Sequence, residues 1–146
     1  MHEMRIIEYG SAAYRDMVTL RDAILRKPLG LVFTPEYLRQ EAVDMLIGYY
    51  ETETGALLGC CILSPVDEEL VQLRQMAVRK DLQRSGIGRA LMGFAENKAK
   101  EQGFGTLMMH ARKIAAPFYQ RLGYRISGEE FLEVGIPHLE MRKPLA

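Results

Sequence analysis

No apolar run in this chain approaches the roughly 20 residues needed to cross a bilayer; the longest, Ala56 to Leu63, is far shorter. The opening Met-His-Glu-Met-Arg lacks the apolar stretch of a secretory signal, so a cytoplasmic protein without a membrane partner is expected. Cysteine is scarce. Cys60 and Cys61 are adjacent, so on a strand they point to opposite faces and cannot readily pair. They read as packing residues, because a nucleophilic thiol needs a basic or His neighbour that neither has in sequence. His2, His110 and His138 are scattered, and no His or Cys pair has ligand spacing, so no metal is expected. Neither charge is in excess, with 19 basic and 19 acidic residues, which argues against general nucleic-acid binding. Repeats, low-complexity tracts and linkers are also missing, and residues 1–146 read as a single domain.

What is present is an ordinary globular composition with alternating patterns. Arg5 to Tyr9 suits a first strand, and Tyr14 to Arg26 carries apolar residues at helical spacing before Lys27-Pro28-Leu29-Gly30 stops it. Thr34-Pro35-Glu36 predicts a short second helix, with a capping hydroxyl and a proline in the first turn. Val43 to Tyr50, Ala56 to Leu63 and Leu70 to Val78 read as three strands, most simply an antiparallel meander. From Gly86 to Gln102 the period becomes helical, and Thr106 to His110 is again extended. The unit from Leu70 to His110 therefore predicts a parallel crossover. Ala115 to Leu122 reads as a short helix. Tyr124 to Ser127, Phe131 to Val134 and His138 to Met141 read as extended segments, the last two around a Gly135-Ile136-Pro137 turn. The expected class is mixed α/β (α+β).

Between Arg74 and Arg89 five basic residues face Asp81 alone, a local balance of +4. Within that stretch Gln83-Arg84-Ser85-Gly86-Ile87-Gly88 joins a strand to a long helix. Glycines there let successive amides converge, and a helix end adds free donors and partial positive charge, which suits a pyrophosphate. A tight strand-to-helix turn would need the same glycines. A P-loop needs Lys and then Ser or Thr after its second glycine, but Arg89-Ala90 follow Gly88. The dinucleotide fingerprint needs a third glycine where Leu91 stands.

The pattern that fits is Gln/Arg-x-x-Gly-x-Gly/Ala, at Gln83, Gly86 and Gly88. It resembles the coenzyme-A loop of the GNAT superfamily of N-acetyltransferases. Leu73 to Val78 resembles the strand before that loop, and Ala115-Ala116-Pro117-Phe118-Tyr119-Gln120-Arg121-Leu122-Gly123-Tyr124 resembles the later Ala-x-x-Phe-Tyr-x-x-Leu-Gly-Phe/Tyr segment. The tail from Phe131 to His138 is similar to the branch that includes ElaA-like acetyltransferases.

The resemblance implies a twisted mixed sheet of about six or seven strands with about four helices, splayed open between the strand ending at Val78 and that at Thr106 to His110. Acetyl-coenzyme A would be co-substrate. Pantetheine would lie against Met76, Ala77 and Val78, and the pyrophosphate against Gln83, Arg84, Ser85, Gly86, Ile87, Gly88 and Arg89, with Phe118 and Tyr119 beside it. Many members have Asn where this chain has Arg112, so that contact is not carried over.

An amine of a small molecule or peptide would attack the thioester directly. At pH 7 a lysine-like amine is neutral in only about one molecule in 2,500, a deficit of roughly 4.6 kcal/mol, which favours a base. By resemblance Tyr119 is the acid for the leaving sulfur, and the Met76 amide or a neighbour holds the oxyanion. Glu133, His138 and His110 are the candidate bases. Two other readings remain at this point: a coenzyme-A-binding sensor without catalysis, and a nucleotide-binding module using the same loop. Acceptor contacts are expected largely from the Arg21 to Glu41 region and the tail, and a homodimer is compatible with the sequence.

Overall fold

A computed structural model describes residues 1–145. Seven strands form one sheet: β1 (His2–Ile7), β2 (Met45–Glu51), β3 (Leu57–Pro65), β4 (Leu70–Val78), β5 (Thr106–Arg112), β6 (Arg125–Glu133) and β7 (Ile136–Pro144). Their spatial order is β1-β2-β3-β4-β5-β7-β6. Every pairing is antiparallel except β4 with β5, which is parallel. Four α-helices accompany the sheet: α1 (Ala12–Arg21), α2 (Pro35–Arg39), α3 (Ile87–Glu101) and α4 (Ala116–Arg121). The mixed α/β class, the meander β2-β3-β4 and the parallel crossover through α3 all match the expectation.

α3 shows how the sequence sets an element. Its buried positions Ile87, Leu91, Met92, Ala95 and Ala99 make one helical stripe against the sheet. Lys98 and Lys100 in its last turn complement the helix dipole. The helix closes when Gly103 turns left-handed and the amides of Gly103 and Phe104 bond to the carbonyls of Lys100 and Ala99. Contact with β3 is close: a Cβ on Gly59 would lie 3.0 Å from Ile87 Cγ2 and 3.1 Å from Leu91 Cδ1.

β3 is buried almost throughout because helices cover both of its faces. Cys61 joins the core beneath α3 and Cys60 the smaller core beneath α1, so the adjacent thiols are separated by the sheet. Beneath α1 also lies a fully buried ion pair. Arg21 at the helix end donates from Nη1 and Nη2 to Oε1 and Oε2 of Glu41 at 2.8 and 2.6 Å, and the Tyr14 hydroxyl donates to Oε1 at 2.7 Å. This bidentate clasp fixes the segment between α1 and β2.

Several boundaries differ from expectation. β1 starts at His2 rather than Arg5, and β2 starts at Met45 because Val43 closes a short 3₁₀ turn. α1 gives way at Asp22 to one π turn, then a 3₁₀ turn over Lys27–Leu29 that ends on left-handed Gly30. A 3₁₀ turn over Lys113–Ala115 precedes α4, which begins at Ala116. The two segments expected before and after Ser127–Phe131 are one strand, β6, whose extra residues around left-handed Gly128 form a bulge. The following turn is Val134-Gly135, both with positive φ, so Ile136 and Pro137 already belong to β7. Among the described residues no helix is long and apolar enough to cross a membrane.

Candidate active site

β4 and β5 are paired only from Leu70–Thr106 to Leu73–Met109, and beyond that point they part. A bulge bends β4 at the same place: Gln75 has φ 54°, and Gln75 and Met76 together stand opposite Cys61 before pairing with β3 resumes at Ala77. β5 instead follows β7 as far as Arg112–His138. The divergence opens a cleft of about 630 Å³ that runs from α3 to the β6–β7 turn.

One end of the cleft is the glycine loop. Arg84 and Gly86 are both left-handed, with φ of 69° and 92°, a backbone form that turns successive amides toward one point. No side chain caps α3, whose first helical bond runs from the Ala90 amide to the Gly86 carbonyl. The amides of Ile87, Gly88 and Arg89 therefore have no helical acceptor. Gln83 Nε2 donates to the Val78 carbonyl at 3.2 Å, tying the loop to β4.

Gln83, Arg84, Gly86, Gly88 and Arg89 line the cleft, as do Met76, Ala77, Val78, Phe118 and Tyr119. Two expected members lie differently. The Ile87 side chain is buried in the core under α3, and the Ser85 hydroxyl bonds to the Leu82 carbonyl, so only their backbones remain for a ligand. The cationic cluster also divides. Arg79 is paired with Asp81, Arg74 bonds to the Tyr37 hydroxyl, and Arg84 and Arg89 alone line the loop end.

Tyr119 on α4 is almost wholly buried, its ring edge-on to Phe118 at 5.0 Å and to Tyr124 at 6.0 Å. Burial, and then the nearby Cys61, pushes its hydroxyl up to about 12. The phenol therefore holds its proton at neutral pH and can donate it. Phe118 touches the loop: a Cβ on Gly88 would meet its Cζ at 3.5 Å. Burial pushes the Cys60 thiol up to about 12 and raises that of Cys61 as well, so neither supplies a thiolate.

The three candidate bases, one on each of β5, β6 and β7, converge. Glu133 lies between two histidines, Oε1 3.0 Å from His110 Nδ1 and Oε2 3.6 Å from His138 Nε2. Phe131 packs among them, 5.1 Å from the His110 ring and 6.0 Å from that of His138. His138 is buried, while Glu133 and His110 reach solvent. His138 Nδ1 lies 2.7 Å from the Ile136 carbonyl, which can only accept, so Nδ1 carries the proton and Nε2 of the neutral ring is free to take another.

The opposite wall falls within the Arg21 to Glu41 region expected to contact the acceptor, with Leu25, Arg26 and Leu29 lining the cleft beside Arg74 and Gln75 of β4, and Tyr37 and Phe33 behind them. There Arg74 and Gln75 Nε2 both donate to the Tyr37 hydroxyl, the latter at 2.9 Å, and Phe33 packs against Tyr37 with ring centroids 5.7 Å apart. The available signal was two aromatics flanking the Thr34-Pro35 helix start.

Residues 33–145 match the family described as an acetyltransferase (GNAT) domain. The uncharacterized protein YyaT of Bacillus subtilis is 37% identical over 75 residues, 51% of each chain. The chain thus spans about half the length of the curated relatives it matches. Among solved structures, an aminoglycoside 6'-N-acetyltransferase complexed with coenzyme A superposes with a TM-score of 0.83 at 14% identity, covering 99% of this chain and 97% of that one. Escherichia coli ElaA gives 0.79 at 18% identity over 98% and 99%. At these identities the likeness is one of fold.

Proposed function

Because the chain belongs to the GNAT acetyltransferase family, we propose that it is an acetyl-coenzyme-A-dependent N-acetyltransferase, one domain over residues 1–146, acting in the cytoplasm on a primary amine of a small molecule or peptide. The observation that carries this reading is the meeting, in one cleft, of uncapped helix amides, a buried protonated phenol and a histidine with a free ring nitrogen.

The loop's chemistry fits the co-substrate. The amides of Ile87, Gly88 and Arg89 and the cations of Arg84 and Arg89 would hold the pyrophosphate, where anions are favoured by roughly 0.3–2 kcal/mol at a helix start. The β4 edge from Met76 to Val78, unpaired with β5, would receive the pantetheine amides as an added strand does. Acetyl-coenzyme A supplies the acyl group. His138 Nε2 accepts the proton shed by the amine, and Glu133, 3.6 Å away, balances the charge the ring then carries. The Met76 amide or a neighbour at the bulge donates to the thioester oxygen. Tyr119 donates its proton to the departing sulfur.

The test is release of free thiol from acetyl-coenzyme A across a panel of amines and peptides, with products weighed by mass spectrometry. Acetylated amine is the expected product. Tight coenzyme-A binding with no product from any amine would overturn catalysis and leave a binding module.

A further inference from the structure

The wall opposite the histidines carries positive charge that the transfer chemistry does not use. Arg26, in the π turn after α1, and Arg74, on β4 just before the bulge, both line the cleft. They converge on one ring, with guanidinium carbons 5.1 and 5.6 Å from the Tyr37 centroid. Arg26 also stacks on Phe33 at 4.4 Å, and Arg74 donates to the Tyr37 hydroxyl.

Neither cation has a carboxylate of its own among the described residues. The acids of the adjoining segment are engaged elsewhere: Asp22 with Lys27, Glu36 with Arg39 and Glu41 with Arg21. Asp44 feels the charge of Arg74 but forms no ion pair with it. Arg21 also stacks on Phe33, at 4.6 Å, yet its charge is balanced by Glu41. Two like charges held beside one aromatic ring repel, and their attraction to the ring only partly offsets that. A planar carboxylate between them would offset that repulsion with charge-assisted hydrogen bonds.

We infer that Arg26 and Arg74 form an anion subsite selecting acceptors that carry a carboxylate as well as the reacting amine. The inference rests on the reading of the cleft as an amine-acetylating site, since it puts the amine toward the gap between β4 and β5 and the carboxylate beside Arg26 and Arg74. Both termini of such a substrate are then recognised, the cationic end by His138 and Glu133 and the anionic end by the two arginines.

The probes are a series of ω-amino carboxylates from β-alanine to 6-aminohexanoate, each beside its carboxamide, so that amine and length are matched. Acetylation kinetics of the wild type should favour the carboxylate by about tenfold or more in kcat/KM, the discrimination of one charge-assisted contact. Arg26→Gln and Arg74→Gln should each erase most of that preference while leaving carboxamide turnover and coenzyme-A affinity unchanged. Arg74→Lys should retain part of it. Calorimetric titration of the same probes into the coenzyme-A complex separates the two readings. Acetylation without carboxylate preference overturns the subsite and leaves the transferase reading standing. Arginine-dependent carboxylate binding without acetylation keeps the subsite and overturns transfer. Neither binding nor preference for any probe overturns the subsite.

Discussion

His138 Nε2 faces Glu133 Oε2 at 3.6 Å while its Nδ1 is committed to the Ile136 carbonyl. The carbonyl fixes which nitrogen of the neutral ring holds the proton and leaves the other turned toward the carboxylate. His110, more exposed, bonds to the other oxygen of Glu133 and so helps hold the carboxylate in place.

His138→Gln keeps polarity and comparable length but removes the basic nitrogen. Amine turnover should fall by about 10²–10⁴-fold, the range for a positioned base, with coenzyme-A affinity unchanged. Glu133→Gln, which removes only the balancing charge, should cost less. Steady-state kinetics with calorimetric coenzyme-A binding checks both; wild-type turnover in His138→Gln would move the base to His110 or Glu133.

Gly86→Asp attacks the other end of the cleft. Gly86 has φ 92° with no atom within 4 Å of a would-be Cβ, so the cost is backbone strain of about 1–2 kcal/mol and not a clash. The new carboxylate meets the place proposed for phosphate. Coenzyme-A affinity should drop well over tenfold in a variant whose melting curve shows it folded, and unchanged affinity by calorimetry would displace the phosphate site.

Glu41 carries a stability prediction. Glu41→Ala leaves Arg21 charged, buried and unpaired, and removes the acceptor of the Tyr14 hydroxyl, so unfolding should be easier by about 3–5 kcal/mol. Arg21→Met with Glu41→Leu replaces the pair by apolar volume and should lie closer to the wild type than Glu41→Ala. Urea titration of the two variants beside the wild type measures the difference.

How legible each feature was depends on whether its cause is local. α3 and its glycine loop could be read because period and glycines lie within one stretch of chain. The Tyr119 segment was recognised by resemblance to a motif. The His110–Glu133–His138 cluster was available only as three separate candidates, because the register of β5, β6 and β7 brings them together and that register depends on the bulge at Gly128. The bulge at Gln75 has no local signal, since a non-glycine residue with positive φ is held there by its surroundings. Arg21 was hidden for a related reason: a charged residue on a helix reads as solvent-facing until its partner 20 positions later is known.

The most discriminating test of the chemistry is at Tyr119. Its hydroxyl is shifted up to about 12 by burial. An acid with a raised pKa keeps its proton at every pH below that value, so turnover should show no loss from Tyr119 ionisation between pH 7 and 10. An unperturbed tyrosine, near pKa 10, would begin to lose its proton within about one unit below that value. Tyr119→Phe keeps the ring edge-on to Phe118 and Tyr124 and removes only the donor. If the hydroxyl protonates the departing sulfur, kcat should fall by about 10²–10⁴-fold while coenzyme-A affinity and melting temperature stay nearly constant. A hydroxyl without a catalytic role predicts little change in turnover. Kinetics decides between them, with a melting curve on the same preparation to show the variant folded, and wild-type turnover in Tyr119→Phe would assign protonation of the sulfur to water or another donor.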